Sequence, residues 1–308
     1  MGVEARKIWA YRPDTPWGDR MAFPDRAILV TFGGSNAGDV LSDPSLYFRK
    51  TFGRVHRLSW HRLERMSDRG SLPSNCLIIL GGGGVLDASE RRARLLDTLS
   101  TDNQLVLWGV GTNRPNQAAV TRQLNDDESL VQAYSLQRSI LVGLRDFHRE
   151  PRGAPPSGIG YVPCASGMMR NLHKTFGQKR SVGIIKHAFL NETAPYKLEN
   201  SIPRISMNLK RFSIGRILRF IAESEAIYTE SYHAAYWSLL MGKKVIVQAP
   251  TSSKFFTLQY PVTFASSSLE VDLERANTAP FPTFLEGARA RNRIFNSQVV
   301  DVINSQRG

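Results

Sequence analysis

The run Cys76-Leu-Ile-Ile-Leu80, passing straight into Gly81-Gly82-Gly83-Gly84, decides how the fold is read. Its residues are apolar without alternation, so a strand made from them is buried on both faces. Such strands belong to parallel sheets with helices on either side. The glycines close the strand with a turn that accepts positive φ and lets other backbone approach. The same grammar recurs upstream and downstream. Ala27-Ile-Leu-Val-Thr-Phe32 runs into Gly33-Gly34-Ser35-Asn36-Ala37-Gly38-Asp39, Gln104-Leu-Val-Leu-Trp108 into Gly109-Val110-Gly111-Thr112-Asn113, and Ser139-Ile-Leu-Val-Gly-Leu144 into Arg145-Asp146. The stretches Glu90 to Leu99 and Gln117 to Leu124 read as helices between strands. Strands spaced by helices are βαβ units.

Arg149 to Gly160 holds three prolines and three glycines and reads as a linker or exposed loop. Beyond it the grammar restarts. Ser181 to Ile185 is a strand ending in Lys186-His187. Ser213 caps a helix whose Ile214, Ile217, Leu218 and Ile221 share one face, leaving Arg216 and Arg219 on the wet side. Ala226 to Thr229 is a strand followed by Glu230-Ser231-Tyr232-His233, and a helix from about Ala234 stops at Gly242. Lys244 to Gln248 is the next strand, and Phe284 to Ile303 reads as a helix. The expected architecture is α/β: two Rossmann-like domains facing across a cleft, with mainly parallel sheets. The N-terminal domain covers residues 1–160 and the C-terminal domain 161–308.

The 308 residues carry 40 Lys and Arg against 27 Asp and Glu, a formal charge of +13. An anionic partner follows: a phosphorylated metabolite, an acidic glycan, a lipid head group or a nucleic acid. The basic residues read as dispersed, and no helix-turn-helix, zinc-finger or RNP pattern is present, which disfavours nucleic acid. Two cysteines, Cys76 and Cys164, make no disulfide framework. No apolar stretch approaches a membrane span, and no secretory leader is legible. The expected location is the cytoplasm, with peripheral contact to the inner face of the membrane through charge. No His, Cys and carboxylate cluster has ligand spacing, so a metal is disfavoured; no cofactor is expected. Nothing reads as a nucleophile elbow or a Cys/His pair.

Ligands in open parallel sheets bind outside the carboxyl ends of the strands, where the unusual residues of this chain gather. Gly81, Gly82, Gly83 and Gly84 offer amides to an anion, against the plainer reading of a tight turn. Asp87 behind them suits a sugar hydroxyl or a helix start. Asp39 suits a general base or a group that orients a sugar, against the plainer reading of an Asx-type turn in which the aspartate is itself the helix N-cap. Glu230, Ser231 and His233 stand at a helix N-terminus, where backbone N–H groups favour phosphate or carboxylate. His233 there suits a phosphate partner or a proton donor, and His187 faces the same cleft from another strand end. Lys254 adds positive charge.

The ordered set Asn36-x-Gly38-Asp39, Leu80-Gly-Gly-Gly-Gly84 with Asp87, Gly109-Val-Gly111, Leu144-Arg145-Asp146 and Thr229-Glu-Ser-Tyr-His233-Ala-Ala with Gly242-Lys-Lys-Val-Ile resembles the polysaccharide pyruvyl transferase family. The resemblance spans roughly Asn36 to Lys254. It implies a GT-B-like pair of domains, the C-terminal one on the donor side and the N-terminal one on the acceptor side. It further implies transfer of pyruvate from phosphoenolpyruvate to a sugar diol of a glycan or lipid-linked acceptor. On that reading His233, Asp39 and His187 are catalytic. Gly81 to Gly84, Arg145, Glu230, Ser231 and Lys254 hold the anionic donor, and Asn36, Asp87 and Asn113 hold the acceptor. The family's Arg-Leu-His stands here as Ser231-Tyr232-His233, and a serine gives no bidentate contact to an anion. A glycosyltransferase of GT-B type using a nucleotide-sugar donor is the alternative on the same scaffold.

Overall fold

The computed structural model describes residues 27–32, 34–52, 55–86, 90–112, 139–145, 159–188, 201–248 and 252–305. Asp87, Asn113, Asp146, the expected helix Gln117 to Leu124 and most of the proline-rich stretch lie outside them.

The chain is α/β with two parallel sheets of Rossmann-like construction. The first contains β1 (Ala27–Thr31), β2 (His56–Ser59), β3 (Leu77–Gly81), β5 (Gln104–Thr112), β6 (Ser139–Leu144) and β7 (Ile159–Tyr161), in the order β2-β1-β3-β5-β6-β7. A short β4 (Gly84–Leu86) continues past β3 against the far end of β5. The stretch read as a linker thus ends in a strand, β7, paired in parallel with β6. The second sheet is β12-β11-β10-β8-β9, from β8 (Arg180–Lys186), β9 (Arg204–Ser206), β10 (Ser224–Thr229), β11 (Lys244–Val247) and β12 (Thr263–Phe264). Its helices are α5 (Ile214–Ala222), α6 (Tyr232–Leu240) and α7 (Leu269–Arg275). The first half has α1 (Ala37–Leu41), α2 (Arg49–Phe52), α3 (Trp60–Asp68) and α4 (Glu90–Asp102), and the last helix described is α8 (Thr283–Ser305).

Both faces of the first sheet are buried, as unbroken apolar strands require. Ile28, Val30, Ile78 and Leu80 turn to one side and pack with Leu63 of α3 and Leu95, Leu96 and Leu99 of α4. The alternate residues Leu29, Ile79, Val106 and Trp108 turn to the other side, against Phe52 of α2. They also meet Phe295, Val299 and Ile303 of α8. The chain therefore returns at its far end to cover the sheet it began with. Trp108 Nε1 donates to Asn292 Oδ1 at 2.9 Å, and Asn292 Nδ2 donates to the Pro163 and Ala288 carbonyls.

The sheets are also joined at the carboxyl end of β1. Ala37 N donates to Met207 O at 2.9 Å and Leu209 N to Ser35 O at 2.8 Å, so residues around Asn36 and Asn208 form an antiparallel bridge. In each sheet the strand order reverses beside its first strand: between β1 and β3, and between β8 and β10. Those reversals are where parallel sheets open a crevice for ligands.

Candidate functional site

The crevice of the first sheet is walled by α1. Asn36 caps that helix, its Oδ1 accepting from Gly38 N at 3.2 Å. That bond fixes the orientation of the amide, so Nδ2 donates, and it lies 3.3 Å from His187 Nε2. His187 therefore accepts at Nε2, and its neutral ring carries hydrogen at Nδ1. Burial, with the Lys254 charge behind it, lowers its pKa to about 4. Asp39 stands in the first turn of the same helix.

The crevice of the second sheet opens at the start of α6. His233 is 6% exposed and lies directly over Gly38, where any β-carbon would overlap the imidazole. This close approach explains a glycine between Asn36 and Asp39. Burial first, then the charges of Arg145, Lys254 and His187, push the His233 pKa well below its ordinary value. His233 is thus neutral near pH 7 in the free protein and is no standing partner for phosphate.

Permanent charge comes instead from Arg145, at the end of β6, whose amide donates to Val110 O. Its guanidinium lies 4.3 Å from the Tyr232 ring centroid and is 3% exposed. Among the described residues Nε and Nη1 find no acceptor. Thr31 Oγ1, Gln248 Nε2 and Ser252 Oγ, at or just beyond the carboxyl ends of β1 and β11, are likewise buried without one. Lys254 follows β11; burial and Arg145 lower its pKa to about 8 and Asp39 opposes them. Arg145, Lys254, His187 and His233 thus share one electrostatic field, with Asp39 as the nearby carboxylate.

Several expected residues have other work. Glu230 Oε1 accepts from His187 N at 3.0 Å, so this carboxylate clasps the end of β8 and offers nothing to an anion. Ser231 caps α6, its hydroxyl accepting from Ala234 N, while its own amide donates to Thr229 Oγ1. The Gly82 amide donates to Trp108 O at 2.7 Å, within the sheet. Gly82 has φ +70 and faces Ser42; Gly81 faces Pro44 and Gly83 faces Phe32. Gly84 pairs with Gly111 as part of β4. The glycine run therefore packs against the segments on either side of α1, Phe32 before it and Ser42 and Pro44 after it.

The structure also makes a pair that the sequence reading excluded. Cys164 Sγ lies 3.6 Å from His233 Nε2 and 3.2 Å from Ser166 Oγ, which accepts from Trp237 Nε1. Cys164 is fully buried, and burial outweighs Arg145 in raising its pKa, so it stays a thiol. It braces the imidazole and is no thiolate nucleophile. No local motif announces this contact, because 69 residues separate the two. Among the described residues no group of His, Cys, Asp and Glu is arranged to hold a metal, and no helix is long and apolar enough to cross a membrane.

No protein-family model matches the sequence, and no curated protein matches it. Among solved structures, the chain is similar to the crystal structure of an uncharacterised protein from Klebsiella pneumoniae subsp. pneumoniae. The identity is 13%, the match covers 79% of this chain and 94% of that one, and the TM-score is 0.39.

Proposed function

We propose that the protein transfers a pyruvyl group from phosphoenolpyruvate to a sugar of a bacterial cell-surface polysaccharide, closing it as a ketal across two hydroxyls. The observation that carries this reading is Arg145: a buried guanidinium with two nitrogens lacking acceptors among the described residues. An uncompensated buried cation costs several kcal/mol. A donor carrying both phosphate and carboxylate offsets that cost, and Lys254 adds a second cation. The ordered motifs quoted above support the same donor. Ser231 stands where the family has arginine, and Arg145 brings a guanidinium against the neighbouring Tyr232 ring instead.

The chemistry divides among these groups. The donor's negative charge compensates Arg145 and Lys254, which lets His233 take up a proton. His233 gives that proton to the enol methylene, whose π electrons form the new C–H bond, leaving a carbocation at C2 stabilised by oxygen. One sugar hydroxyl attacks C2 and passes its proton to Asp39. The C2–O bond to phosphate breaks with its electron pair, and the departing phosphate takes the proton held by Asp39. The second hydroxyl attacks C2 to close the ketal, giving its proton to the now neutral His233.

A nucleotide-sugar donor is the second reading, favoured by the absence of arginine at 231. Thermal shift separates the two. A ligand at on the order of 100 times its Kd stabilises by about 2.7 kcal/mol, so phosphoenolpyruvate at saturating concentration should raise the melting midpoint by several degrees. Arg145→Met should raise the midpoint of the free protein, since it removes an unpaired buried charge, and should abolish the donor-induced shift. A shift with a UDP-, GDP- or CMP-sugar and none with phosphoenolpyruvate would replace pyruvyl by glycosyl transfer.

A further inference from the structure

The excess positive charge is concentrated, contrary to the dispersed reading of the sequence. Residues 159–225 hold eleven Lys and Arg against four Glu, so seven of the thirteen net charges come from this segment. The structure gathers many of them on one side. The turn Arg170–His173 packs against α5. Arg170, Lys174, Lys210, Arg211, Arg216 and Arg219 are all exposed. Arg219 lies 5.8 Å from the Phe176 ring, which is itself 39% exposed, and Arg216 lies 5.0 Å from the ring of Phe212. The acidic groups at this face are Glu223, saturated by Lys179, Arg180 and Arg219, and Glu225, which accepts from Gln178 Nε2 and pairs with Lys244. The contacts of Glu223 hold its pKa at about 2. Among the described residues no carboxylate pairs with Arg170, Lys174, Lys210, Arg211 or Arg216.

The face begins beside the crevice. Lys210 N donates to Asn208 Oδ1 and Arg211 N to Asn208 O, and Asn208 is the residue bridged to Asn36.

We propose that this face seats the protein on an anionic lipid surface, with the crevice at its edge. Lysine and arginine around an exposed phenylalanine match the head-group plane, where cations meet lipid phosphates and the ring enters the acyl boundary. Nucleic acid fits less well. Phe176 already has one cation against it, and α5 turns only Arg216 and Arg219 outward, where groove reading or base stacking needs a longer basic helix or open aromatic platforms. This docking requires no donor, so it stands or falls apart from the transfer reaction.

The full chain is sedimented with vesicles of phosphatidylcholine alone and of phosphatidylcholine with phosphatidylglycerol. Binding is expected only to the second, weakening as salt rises. Each basic residue at such a surface strengthens partition about fivefold. Joint reversal of Arg170, Lys174, Lys210 and Arg211 to Glu should therefore weaken binding by more than about a hundredfold. Reversal of Arg49 and Lys50, exposed elsewhere, should leave it within about fivefold, the effect of a single residue. Far-ultraviolet circular dichroism checks that the variants fold; if the quadruple variant does not, Lys174→Gln with Arg211→Gln takes its place. Absence of binding to the anionic vesicles, equal loss in both variants, or retention on duplex DNA without vesicle binding overturns the proposal.

Discussion

His187 and Asn36 fix each other's hydrogens, because the Asn36 carbonyl oxygen is held by Gly38 N and its nitrogen must then donate to the ring. The consequence is a pH dependence with a definite sign. His187 is held near about 4 by burial and Lys254, and His233 is also pushed below its ordinary value. An unfolded histidine takes its proton near about 6.5. Between those values the unfolded chain binds protons that the folded chain refuses, so stability falls as pH drops through the window. Urea midpoints should decline from about pH 7 to about pH 5. In His187→Gln, whose amide oxygen still accepts from Asn36, the decline should be smaller; an unchanged decline would contradict the assignment. The sequence shows the types and order of these residues, since Asn36, Asp39, His187, His233, Arg145 and Lys254 all lie at strand ends. Hidden from it are the partners a residue finds within the protein. Glu230 and Ser231 have the right character for ligand contact, but a backbone amide and a helix end engage them first.

Helix α6 shows how an element decides what its residues can do. Ser231 accepts from Ala234 N, so Ser231→Ala should cost about 1 kcal/mol of stability while Ser231→Gly costs only a few tenths. Denaturant midpoints read that loss, and a donor-induced thermal shift should survive in both variants. Loss of the shift would return Ser231 to the ligand. At this scale the long buried strands are legible to within a few residues: Ser139–Leu144 as read, and Ala27–Thr31, Leu77–Gly81 and Arg180–Lys186 displaced slightly at their ends. The missed ones are short or lie at sheet edges. β2, with His56 and Arg57, and β9, with Arg204, present polar side chains because only one neighbour covers them, so no apolar run marks them. β4 hides among glycines, and α3 begins on Trp60 with a mostly polar surface.

Across the whole molecule, α8 ties the two halves together through Asn292, which accepts from Trp108 Nε1 and donates to Pro163 O. Asn292→Leu leaves both groups buried and unpaired, each worth roughly 1–3 kcal/mol. Tryptophan fluorescence and calorimetry on the full chain should show a lowered midpoint; an unchanged one would mean that apolar packing alone holds α8. The order of synthesis gives this arrangement a second meaning. When the ribosome has finished β1 through β7, one side of that sheet, with Trp108 on it, still lacks Phe295, Val299 and Ile303. Those residues emerge nearly two hundred positions after Trp108. The nascent first half must therefore wait, sticky and half-clothed, for the end of translation, and holdase chaperones have an interval in which to act.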